Sequence, residues 1–137
     1  MNYLPIPWIQ RIHGSVLVLL GSGLAVVSLY SQRTGWGVYG FLQEQPMGVV
    51  GLLQAYLLMV IIGIVLCIGA ASKCPSKVWN LIGLVAHFPP LLALALYGYL
   101  FLELGIGYII GVSIAIHATW IIVELTSLFF GKIKPSV

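Results

Sequence analysis

Gly48–Ala70 reads GVVGLLQAYLLMVIIGIVLCIGA, an apolar run with one strongly polar side chain, Gln54, and no charge. About 20 apolar residues cross a 30 Å hydrocarbon core at 1.5 Å per residue. The run is therefore expected to be a transmembrane helix. Outward from it the pattern repeats. Comparable apolar stretches cover roughly residues 12–30, 78–102 and 106–130. The expected fold is all-α: a single integral membrane domain with four transmembrane helices.

The whole composition agrees. Of 137 residues, 61% are hydrophobic and 7% charged, with a mean hydropathy of +1.10. A soluble domain carries about 25% charged residues. The natural solvent of this chain is lipid, and 137 residues leave no room for a second domain.

Charge sets the expected orientation. Arg11 precedes the first span, Lys73 and Lys77 lie between the second and third, and Lys132 and Lys134 follow the fourth. Arg33 alone falls on the other side. Short loops rich in Lys and Arg stay in the cytoplasm. Both termini are thus expected to be cytoplasmic, in a bilayer that fits a bacterial inner membrane. The net charge of +3 is a topology signal and gives no reason to expect nucleic acid as a partner. Cys67 and Cys74 would lie on the reducing side and stay unpaired thiols.

Each connection has its own expectation. Tyr3, Pro5, Pro7 and Trp8 mark a lead at the interface in which the prolines block an early helix. With no cationic segment before Arg11 and no A-x-A site, the first span reads as a permanent anchor. Its Gly14, Ser15, Gly21, Ser22 and Gly23 allow a close helix. The loop from Ser31 to Pro46, with Trp36, Tyr39 and Phe41, suits the outer interface. Pro89 and Pro90 remove two amide donors inside the third span, so carbonyls near Val85 and Ala86 lose partners and the helix should kink. Glu103, Leu104 and Gly105 form a short turn that makes the last two spans an antiparallel hairpin. Gly131 stops the fourth.

Arg11-x-x-Gly14 followed by Gly21-x-Gly23, within a four-span plan, resembles small DoxX-type membrane proteins, mainly over the first span. The resemblance implies a helical membrane fold and assigns no functional residue.

Ionisable residues inside spans are the best site markers in such a sequence. His87, His117 and Glu124 qualify. His87 lies roughly 13 Å and His117 roughly 20 Å from the cytoplasmic side, a gap of about 6 Å on adjacent helices. Ser113, His117, Trp120 and Glu124 share one face of span four, and Asn80, Gly83 and His87 share one face of span three. Gly107, Gly111 and Ala115 form a small-residue packing ridge nearly opposite the polar stripe of span four. Local partners are also expected. His87 would bond a freed carbonyl or Asn80, and His117 would bond Ser113. Glu124 would pair with Lys77 or Lys132, Gln54 would link helices, and His13 would be solvated beside Arg11.

Three functional classes remain. There is no Asp and no nucleotide loop, which favours a non-catalytic subunit or assembly factor packed against other integral membrane subunits. The second class is a haem, chlorophyll or quinone site at His87 and His117. The third is a small oligomeric transporter or proton pathway through Glu124, His117 and His87. No protein metal site is expected.

Overall fold

The computed structural model describes residues 6–72 and 77–131, and all its regular elements are helical. Helix α1 spans Ile6–Thr34, α2 Pro46–Ala71, α3 Lys77–Val85, α4 Phe88–Glu103 and α5 Tyr108–Phe130, with a 3-10 turn at Gly40–Gln43. Four stretches are long and apolar enough to cross a membrane: Ile6–Thr34, Pro46–Ala71, Lys77–Glu103 and Tyr108–Phe130. The sequence-based expectations for Tyr3, Pro5, Lys73, Cys74, Lys132 and Lys134 fall outside the described residues.

The start of α1 departs from expectation. The helix begins at Ile6, so the prolines do not hold it off. Pro7 sits in the first turn, where its missing N–H would have had no intrahelical partner. The helix therefore includes Gln10 and His13.

The break in the third span is complete. α3 ends at Val85 and α4 starts at Phe88, with Ala86 and His87 between them. The His87 amide bonds the Leu84 carbonyl at 3.2 Å, a tightened 3-10 turn. Pro89 and Pro90 then occupy the first turn of α4.

The connection from α4 to α5 is a Schellman turn. Gly105 takes φ +71°, a left-handed geometry that side chains resist. The Ile106 amide reaches the Phe101 carbonyl at 2.9 Å and the Gly105 amide reaches Leu102 at 3.0 Å. So short a reversal sends α5 back along α4.

Contacts divide the chain into two compact units. In the unit Gly14–Val65, the two long helices cross closely. A Cβ on Gly63 would stand 2.6 Å from the Gly14 carbonyl and 2.9 Å from a Val18 methyl. Small residues allow that approach. The Tyr39 and Tyr56 hydroxyls bond at 2.7 Å, and Leu42 of the connecting loop is buried while Trp36 is exposed. The other unit joins the first turns of α1, up to His13, to the end of α2 and to α3, α4 and α5. α5 packs on both α3 and α4. This unit holds all the buried ionisable side chains discussed below.

Candidate functional site

Three helices contribute a polar face to one place. α1 supplies Gln10 and His13, three residues apart. α3 supplies Asn80 and Gly83, with His87 just past its end. α5 supplies His117, Trp120, Glu124 and Ser127 at spacings of three and four. Such spacings stack side chains along one helical face. Gln10, His13, Asn80 and Glu124 are all fully buried.

Glu124 sits at the centre. Its Oε1 lies 2.5 Å from His13 Nδ1, and its Oε2 accepts a bond of 2.7 Å from Asn80 Nδ2. Asn80 Nδ2 also donates to Ser127 Oγ at 2.9 Å, while Asn80 Oδ1 accepts from Gln10 Nε2 at 2.7 Å. The amide is thereby oriented from both sides. Gly83 leaves space for this meeting. A Cβ there would stand 2.8 Å from Glu124 Oε1 and 3.1 Å from His13 Nδ1.

From His13 the bonds continue. His13 Nε2 lies 3.1 Å from His87 Nε2, and His87 Nδ1 lies 2.9 Å from His117 Nδ1. Trp120 stacks on the His13 ring, with centroids 4.1 Å apart and planes 10° from parallel. The result is a linear chain of four titratable groups: Glu124, His13, His87, His117. Both ring nitrogens of His13 and of His87 are used. His117 is half-buried, and among the described residues nothing bonds its Nε2.

Only two hydrogen-bond patterns satisfy the whole chain with neutral imidazoles, because a neutral imidazole has one donor and one acceptor nitrogen. In the first, Glu124 is a carboxylate. His13 Nδ1–H donates to it, His87 Nε2–H donates to His13, and His117 Nδ1–H donates to His87. His117 Nε2 is then a bare lone pair. In the second, every bond is reversed: Glu124 carries a proton, and His117 Nε2 is an N–H. The two patterns differ by one proton. A proton arriving at His117 Nε2 and three short hops along the chain convert the first into the second, with the added proton's charge ending on Glu124.

The structure brings some of the residues singled out in the sequence together and leaves others apart. Glu124, Asn80, His87 and His117 converge. His87 and His117 bond each other directly instead of a freed carbonyl, Asn80 or Ser113. Glu124 pairs with His13 and Asn80, not with Lys77. Lys77 Nζ instead caps α5 by donating to the Leu128 carbonyl at 2.6 Å, a favourable place for a cation at a helix C-terminus. Ser113 is half-exposed, one turn beyond His117. Gln54 is exposed on α2 and does not belong to the cluster. Gly111 and Ala115 are also exposed, and a Cβ on Gly111 would meet nothing within 4 Å. Gly107 packs beside Leu102.

His13 is the principal omission. Its neighbour Arg11 is exposed, but His13 itself is fully buried. The signal was its phase. Ile6, Gln10, His13, Leu17, Ala25, Ser28 and Ser31 are buried at helical spacing along α1. Among the described residues, no group of three or more His, Cys, Asp or Glu side chains is arranged to share a metal ion.

Fold and site together define a helical chain with four membrane-length stretches and a buried carboxylate–histidine chain. No family model, curated protein or solved structure matches it, so the likeness of the first span to DoxX-type proteins gains no support.

Proposed function

We propose that this chain is an integral membrane protein that handles protons inside the bilayer, with Glu124 as the store and His117 Nε2 as the outlet. The observation that carries the reading is the unbroken hydrogen-bonded chain Glu124–His13–His87–His117. A charge at the bilayer centre costs roughly 2.5–3.5 kcal/mol on insertion scales, so ionisable residues there are rare and point to function by default. The Arg and Lys bias puts the Glu124 end, with Arg11 and Lys77, towards the cytoplasm. A bacterial cytoplasmic membrane fits that orientation.

The relay has a limited reach. Seven residues of α5 separate Glu124 from His117, about 10 Å of a core about 30 Å thick. It joins the cytoplasmic side to mid-membrane, which suits exchange with something held there better than free conduction across the bilayer.

The test is 15N-histidine NMR of the protein in lipid nanodiscs across pH. The three histidines should change tautomer together, with one proton taken up per chain. Histidines that titrate one by one would overturn the reading.

A second reading, a subunit packed against other membrane proteins, draws on the exposed small residues of α5, Gly111 and Ala115. Gly111→Leu should then release the chain from its complex on a native gel. Unchanged co-migration would count against it.

A further inference from the structure

We infer that His117 Nε2 binds the headgroup of a lipid-soluble quinone or its quinol, and that the relay selects between the two forms. This rests on the proton-handling reading above. His117 is the one member of the chain with a ring nitrogen not bonded within the described residues. It lies near the middle of α5, a membrane-length stretch, and its α5 neighbours Ile114 and Ile116 are exposed. A molecule that reaches this nitrogen from the side must be soluble in lipid. It must also present a polar atom to match one ring nitrogen.

The hydrogen-bond patterns then dictate the match. With Glu124 ionised, Nε2 is an acceptor and takes a hydroxyl, as a quinol offers. With Glu124 protonated, Nε2 is a donor and takes a quinone carbonyl or the oxygen of a quinol hydroxyl, which accepts as well as donates. The discrimination therefore lies in the first pattern, which admits quinol and refuses quinone. Binding needs no electron transfer. It couples the ligand form to one proton on Glu124, seven residues away.

Among the described residues, few other titratable or charged groups bear on this switch. From α1, His13 is a member, and Arg11 is exposed. From the α3–α4 junction His87 is a member, and Lys77 is held by the Leu128 carbonyl beyond Glu124. Cys67 of α2 lies 3.9 Å from the Arg11 carbonyl. Glu103 ends α4 at the far terminus, and Tyr97 and Tyr99 are exposed.

Glu124→Gln gives a directional test. Asn80 Nδ2 already donates to the Oε2 position, so the amide oxygen of Gln must settle there. Its NH2 then donates to His13 Nδ1 and locks every histidine in the second pattern. His117 Nε2 becomes a permanent donor.

The experiment titrates a decyl-substituted benzoquinone, and separately its reduced form, into nanodiscs holding the full chain, and reads the His117 Nε2 resonance. In the wild type, quinone should bind about tenfold more tightly at low pH than at high pH, the effect of one matched against one mismatched hydrogen bond. Quinol, whose hydroxyl both donates and accepts, should bind at both. In Glu124→Gln, quinone should bind equally at both pH values with the wild type's low-pH affinity, and quinol should lose the preference over quinone that it has in the wild type at high pH. His117→Phe should abolish the saturable site, and if that variant does not fold the Glu124→Gln comparison stands alone. No saturable shift in a protein whose histidines still switch together overturns the quinone inference and leaves the relay. Absence of the concerted switch overturns both.

Discussion

His13→Phe isolates the energetic role of the buried pair. Phenylalanine keeps an aromatic ring against Trp120, which stacks on His13 at 4.1 Å, so little apolar contact is lost. What disappears is the 2.5 Å bond to Glu124 and the 3.1 Å bond to His87. A buried carboxylate left with Asn80 as its donor loses one charge-assisted hydrogen bond, about 1.5–3 kcal/mol. The unpartnered His87 nitrogen adds about 1 kcal/mol. The double variant His13→Phe/Glu124→Leu removes the charge as well. Asn80 then keeps Gln10 and Ser127 as partners. Replacement of both partners of a buried hydrogen bond by apolar side chains can be nearly neutral or stabilising, so the double variant should recover most of the loss. The assay is reversible unfolding in mixed micelles, followed by circular dichroism against denaturing detergent. A single variant within about 1 kcal/mol of wild type, or a double variant as unstable as the single, would refute the assignment of Glu124 and His13 as a mutually dependent pair.

The glycines of the same unit give opposed expectations. Gly83→Ala places a methyl 2.8 Å from Glu124 Oε1 and should cost about 1–3 kcal/mol in the same unfolding assay, as overpacking does. It should also uncouple the histidine tautomers in the NMR titration. Gly111→Ala meets nothing within 4 Å and should stabilise isolated α5 by about 0.5–1 kcal/mol through helix propensity. Gly105→Ala forces a side chain into φ +71° and should cost about 1–2 kcal/mol, while Gly105→Asn should cost less.

How far the sequence reveals this structure depends on the kind of signal. Gly48–Ala70 declares itself as a helix by length and apolarity, and the Pro89–Pro90 pair declares the break before it, because two missing amides admit no other outcome. The α5 stripe of His117, Trp120 and Glu124 was legible because a helix fixes phase within a few residues. Its partners were not. His13 and Glu124 are 111 residues apart, and nothing local says which helical face will meet which. Arg11 suggested water for His13. The buried row from Ile6 to Ser31 would have placed His13 inside, but only if Pro7 was read as a helix opener and not as a breaker. Gln54 misled in the other direction: a lone polar residue in an apolar run looks like a link between helices, and it is exposed.

The same 111-residue separation shapes how the chain is made. Domains form from the N-terminus during synthesis. α1 therefore emerges with Gln10 and His13 long before Asn80 and Glu124 exist. Asn80 and His87 of the third span supply their first native partners, and Glu124 of α5 follows later. The bond between His13 and Glu124 can close only once α5 has been made, 111 residues after His13.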